Sequence, residues 1–141
     1  MARTNWLAAT ATLLMMMMAP QQAHAGCPNY NLVFAATADA NADQAVAVDI
    51  VISSEQRLSE MLSELTAGEY FGRRGALEAD FPSTMRVISL ELPPGGTANY
   101  YVARGCTVFV FANYANDGEH RLEVSGSGTI RLNRDDLSWA D

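Results

Sequence analysis

The sequence predicts a mainly β fold: an antiparallel two-sheet β-sandwich of about seven short strands, with one amphipathic helix inserted over about residues 53–67. Two observations predict it. Short runs rich in Val, Ile, Phe and Tyr recur between clusters of Gly, Pro, Asn and Asp, the punctuation of strands and tight turns. One segment repeats its apolar residues convincingly at helical spacing, whereas a parallel α/β fold requires a helix between most strands.

Residues 1–25 precede this fold and read as a signal peptide. Arg3 supplies a positive start, an apolar run extends from Trp6 to Met18, and Ala23-His24-Ala25 offers small residues at the two positions a signal peptidase reads. The run is too short for a spanning helix, which needs about 20 apolar residues. The expected location is therefore periplasmic or secreted. Residues 26–141 are expected to form a single β-sandwich domain, because two domains of half that size would each bury too little surface. Ala25-Gly26-Cys27 also matches the end of a bacterial lipoprotein box, although His24 stands where leucine is usual. Lipidation of Cys27 would anchor the protein at the outer membrane. The alternative use of Cys27 is a disulfide with Cys106, since the chain has two cysteines and an oxidising compartment favours their pairing. The two fates exclude each other.

In chain order, Asn31 to Ala38 reads as a first strand, broken by Asp39-Ala40-Asn41-Ala42-Asp43. Val46, Val48, Ile50 and Ile52 then alternate with Ala47, Asp49 and Val51, a period of two that predicts a half-buried strand pairing with the first. Ser53 and Gln56 have the spacing of a capping box, Leu58, Met61, Leu62 and Leu65 recur at helical spacing, and Gly68 supplies a stop. After Tyr70-Phe71, the stretch Gly72-Arg73-Arg74-Gly75 reads as a flexible basic loop, and Ala76 to Phe81 as a short helix ended by Pro82. Met85 to Leu92 is a strand, Pro93-Pro94-Gly95-Gly96 a turn, and Ala98 to Ala103 the returning strand. Thr107 to Tyr114 is apolar on both faces and is expected to be central and buried. Asn116-Asp117-Gly118 signals a hairpin into a strand carrying His120, Leu122 and Val124 on one face, and Thr129 to Leu132 is the last strand.

Charge narrows the function. The chain has 16 acidic and nine basic residues, all nine of them arginine, for a net charge of −7. Nucleic acid is excluded as a partner, since phosphate binding depends on clustered cations, and membrane contact is expected only through a lipid on Cys27. Catalytic chemistry is sparse. His120 is the one histidine after residue 25, which rules out a multi-histidine zinc site, and it reads as a partly exposed strand residue. A Ser-His-Asp arrangement lacks any nucleophile elbow or glycine-rich oxyanion loop. Asp39, Asn41 and Asp43 resemble the first half of a calcium loop, but Gln44 and Ile50 stand where glycine and a bidentate glutamate belong. No enzyme activity, metal or cofactor is expected. Arg73 and Arg74 are the candidate partner-binding residues, because guanidinium groups flanked by glycines can adapt to a carboxylate or phosphate. Tyr100 and Tyr101 cannot form one platform, since adjacent strand residues face opposite ways.

Several features also occur in one order: Gly26-Cys27 after a signal, a strand into a loop containing Asn41, the Val46–Ile52 strand, a helix with Tyr70-Phe71, the Leu92-Pro93-Pro94-Gly95 turn, and Val108-Phe109-Val110-Phe111-Ala112. Together these resemble the small outer-membrane lipoprotein of bacterial type VI secretion systems. The resemblance implies a transthyretin-like sandwich with an added helix, and a non-enzymatic assembly role in which another envelope protein is held at the outer membrane. Three features depart from that pattern: His24, Cys106, and the extension from Gly126 to Asp141. The competing expectation is a soluble periplasmic or secreted ligand-binding or inhibitor module. Lipidation of Cys27 separates the two.

Overall fold

The computed structural model describes residues 26–140, so the signal-peptide reading of residues 1–25 lies outside the described residues. Within them, eight strands and two helices follow in the order β1 (Tyr30–Ala36), β2 (Val46–Ser53), α1 (Gln56–Glu64), α2 (Ala67–Asp80), β3 (Met85–Leu92), β4 (Thr97–Val102), β5 (Thr107–Asn113), β6 (Arg121–Glu123), β7 (Gly128–Leu132) and β8 (Leu137–Trp139). One sheet has the order β4-β1-β7-β8 and the other β3-β2-β5-β6. The fold is mainly β and sandwich-like. Every pairing is antiparallel except β1 with β7, which is parallel.

The period-two pattern of β2 explains the layering. Val46, Val48, Ile50 and Ile52 point between the sheets, where they meet Leu32, Phe34, Ile130 and Leu132 from the opposite sheet. The other face of β2 carries Val51, which packs under the helices with Leu58, Leu62, Tyr70 and Leu77. β5 is apolar on both faces for the same reason. Val108, Val110 and Ala112 fill the sandwich, while Phe109 and Phe111 lie beneath the helices. The strand is central, between β2 and β6, as its composition predicts.

The expected pairings fail at two places. β1 and β2 lie in different sheets, so residues 37–45 are a crossover and not a hairpin loop. β3 and β4 are likewise split: β3 pairs with β2 and β4 with β1, and the Pro93–Gly96 turn, with Gly95 at φ 75, carries the chain from one sheet to the other. Alternation fixes which face a strand buries but is silent on which neighbour it takes. β8, a three-residue strand, was not expected and covers the edge of β7.

The helical region also differs from the expectation. There are two helices, and the capping box belongs to the second: the Thr66 hydroxyl accepts from the Glu69 N–H, and the Glu69 carboxylate accepts from the Thr66 N–H. Ser53 ends β2 instead, its hydroxyl donating to the Glu55 carbonyl at 2.8 Å. Gly68, Gly72 and Gly75 do not break the chain but lie inside α2, so Arg73 and Arg74 are helical and there is no flexible basic loop. Burial of Ala67, Tyr70 and Leu77 against β5 outweighs about 1 kcal/mol lost at each helical glycine. Among the described residues, no helix is long and apolar enough to cross a membrane.

Cys27 and Cys106 are joined, with their Cα atoms 4.5 Å apart. The bridge ties the approach to β1 to the approach to β5 and so links the two sheets at one pole. Gly105 is required beside it, because a Cβ there would lie 2.8 Å from the Tyr30 ring and 2.7 Å from Val108.

Candidate partner-binding site

At the pole opposite the bridge, three connections converge: residues 37–45, 114–120 and 133–136. Their side chains cross-link them. Asn41 is buried; its amide nitrogen donates to the Ala45 carbonyl at 2.9 Å, and its side-chain oxygen accepts from the Ala115 N–H at 2.7 Å. The Tyr114 hydroxyl donates to the Asp136 carbonyl at 2.8 Å, and the Asn116 amide to the Asp135 carbonyl at 3.1 Å. Burial, followed by the nearby Asp136 charge, raises the Tyr114 pKa well above that of a free phenol.

This pole also carries most of the backbone strain. Asn41, Ala42 and Asp43 have φ of 48°, 52° and 66°, three consecutive left-handed residues without glycine, and His120 has φ 43°. Such residues cost roughly 1–2 kcal/mol each and persist where their surroundings over-determine them, as the two Asn41 side-chain bonds do here. The strain holds Ala42, Asp43, Gln44 and Ala45 out in solvent on a fixed frame.

His120 lies just before β6, not on it, and is buried instead of partly exposed as expected. Its Nδ1 lies 2.8 Å from the Asp136 carboxylate and its Nε2 lies 3.0 Å from the Asn116 carbonyl. Both contacts are to oxygen atoms from separate loops. His120 thus fastens the 133–136 turn to the 114–120 loop, and no serine oxygen is among its hydrogen-bond partners. Around it the exposed residues Asp39, Asp43, Asp117, Glu119, Asp135 and Asp136 make the pole acidic, offset in part by Arg134 and by Arg121, which pairs with Glu119. Asp39 accepts from the Thr37 hydroxyl, and no group of three His, Cys, Asp or Glu side chains is placed to hold a metal among the described residues.

The two arginines singled out by sequence have different fates. Arg73 is exposed on the outer face of α2. Arg74 reaches inward to Asp49 of β2, with Nη1 at 3.1 Å from the carboxylate. Asp49 is 2 % exposed and also accepts from the Tyr70 hydroxyl at 2.8 Å and the Ser89 hydroxyl at 2.6 Å. Burial and the Asp49 contact hold the Tyr70 phenol protonated far beyond its ordinary range, and its ring stacks on Phe111 at 4.2 Å. Arg74 is therefore a tie between helix and sheet. The signal for it was Asp49, a carboxylate on the apolar Val46–Ile52 strand that needs a buried partner.

No protein-family model matches the sequence, and no curated protein matches it. Solved structures do resemble it. The Lip protein of Serratia marcescens, described as a membrane-bound component of the type VI secretion system, superposes with a TM-score of 0.58 at 14% identity, covering 80% of this chain and 96% of that one. The type VI secretion lipoprotein TssJ1 of Pseudomonas aeruginosa gives 0.61 at 11% identity, covering 82% and 95%. A chain of a type VI membrane complex gives 0.62 at 15% identity, covering 82% and 99%. At these identities what is shared is architecture: the chain has the fold of type VI secretion lipoproteins.

Proposed function

We propose that this protein is a non-enzymatic component of the cell envelope that binds another envelope protein through the acidic pole formed by residues 37–45, 114–120 and 133–136. The observation that carries the reading is the left-handed Asn41–Asp43 segment held by the Asn41 side chain. A loop fixed before binding loses little conformational entropy on association, and the energy stored in it is best explained by a surface kept in shape for a partner. The acidic rim calls for a partner with a basic face, and its contribution falls with added salt. The shared fold with type VI secretion lipoproteins and the export-like residues 1–25 support an envelope setting. The test is recovery of the protein with its partner from native membranes, wild type against an Asp39→Asn/Asp43→Asn variant. Weaker, less salt-sensitive recovery of the variant supports the reading; unchanged recovery at all salt concentrations opposes it.

A second feature favours a form free of a lipid anchor. The Cys27 sulfur is spent in the bridge to Cys106 and is then unavailable for lipidation. The protein works in this reading as a soluble periplasmic or secreted module on the lipoprotein fold. The intact mass of protein isolated from its envelope decides: a chain beginning at Gly26, two hydrogens light until reduced, supports it. A chain beginning at Cys27 and carrying acyl groups overturns it in favour of outer-membrane anchoring.

A further inference from the structure

Beside the Cys27–Cys106 bridge, at the pole away from the acidic loops, lies a cleft of about 580 Å³. Its wall includes Ile52, Ser54, Ser83, Thr84, Arg86 and Arg104, and among the described residues no carboxylate lines it. In a chain with 16 acids and nine arginines, two arginines without an acid at one cleft reverse the local sign of the surface. Neither guanidinium forms an ion pair among the described residues.

The backbone places one of them deliberately. Arg104 has φ 55°, and its N–H donates to the Asn29 side-chain oxygen at 3.0 Å, while the following Gly105 N–H donates to the Pro28 carbonyl at 2.8 Å. A strained, doubly fastened turn that presents an exposed, unpaired arginine is unexplained by the packing of the sandwich. Arg86, on the edge strand β3, gives one N–H to the Ala103 carbonyl at 2.5 Å and keeps the rest of its donor fork. Thr84 spends its hydroxyl on the nearby Glu55 carboxylate and Ser54 donates to the Thr84 carbonyl at 3.4 Å, which leaves Ser83 as the uncommitted hydroxyl. Two guanidinium forks with the Ser83 hydroxyl offer more donors than the two oxygens of a carboxylate accept. They match a tetrahedral oxyanion.

We propose that this cleft is a phosphate-binding site, taking a phosphate ester from either a lipid headgroup or a soluble metabolite. The apolar floor at Ile52 and the disulfide accommodates the ester's carbon side. The chain's overall negative charge makes the affinity modest and dependent on the two arginines together.

Inorganic phosphate titrated into the full-chain protein, followed by NMR of the arginine Nε–H and nearby amide signals, is the direct test. The expected result is saturable shifts at Arg86, Arg104, Ser83 and Ser54, with Arg104→Gln weakening binding at least tenfold and Arg73→Gln leaving it unchanged. Arg104 is the decisive position because its side chain makes no hydrogen bond among the described residues, whereas Arg86→Gln also loses the Ala103 contact. Flotation with vesicles of phosphatidylglycerol in phosphatidylcholine, against phosphatidylcholine alone, separates the sources. Arg104-dependent flotation that phosphate competes away assigns the site to headgroups; phosphate binding without flotation assigns it to soluble esters. Shifts that never saturate, or that persist unchanged in Arg104→Gln, overturn the proposal.

Discussion

Asn41 shows how much one side chain can decide. Its position in the Asp39-Asn41-Asp43 spacing was visible in the sequence, but spacing alone is equally compatible with a ligand pointing out and an anchor pointing in. The structure turns it inward to join two loops. Asn41→Ala strips an acceptor from the Ala115 N–H and leaves a methyl group at φ 48°, so it is expected to cost about 2–3 kcal/mol in urea unfolding. Asn41→Gly relieves the backbone strain and is expected to cost less. Tyrosine ionisation gives a second residue-scale outcome. Tyr70 and Tyr114 have folded pKa values raised above the ordinary phenol value of 10.0, chiefly by burial, so the native state favours their protonated form. Their contribution is complete below pH about 10 and is lost as pH rises further, because the unfolded chain then ionises first. Absorbance at 295 nm should show the ionisation of Tyr70 and Tyr114 only together with alkaline unfolding.

At the scale of elements, α2 separates what pattern reveals from what packing adds. Gly68 looked like a helix stop and Gly72 and Gly75 made residues 72–75 look like a loop, and local propensity favours that reading. The helix forms because Tyr70, Leu77 and Arg74 have partners on β2 and β5 that are distant in sequence. The two adjacent arginines should therefore behave differently. Arg74→Ala removes a charged partner from buried Asp49 and is expected to cost about 1–3 kcal/mol, whereas Arg73→Ala should stay within about 0.5 kcal/mol, both by thermal or urea unfolding. Thr66→Ala, which removes the α2 cap, is expected to cost about 1 kcal/mol by the same measurement. β5 was legible because it is buried twice, and its two apolar faces needed only composition to be seen. The neighbours of β1 and β3 were not legible, since alternation fixes which face of a strand is buried and not which strand lies beside it.

At the scale of the molecule, the protein has two poles with opposite character: a bridged end with a cationic cleft and a far end with strained, acidic loops. The bridge closes 79 residues and joins the sheets, and the chain-entropy relation values such a closure at roughly 4–5 kcal/mol. Two-sheet architecture and the central strand were readable from sequence, because each follows from composition or spacing, whereas the sequence left Cys27 open between a bridge and a lipid. The poles were not readable, because they are assembled from segments that meet only after folding. The most direct measurement of the central claim is a photocrosslinking scan in living cells, with a photoreactive residue placed singly at Ala42, Gln44 and Asn116 on the acidic pole and at Asn29, Ser54 and Ser125 elsewhere. The account predicts one discrete envelope-protein adduct from the acidic-pole positions, lost on Asn41→Ala while the folded protein persists. Adducts from the other positions with none from the acidic pole would contradict it.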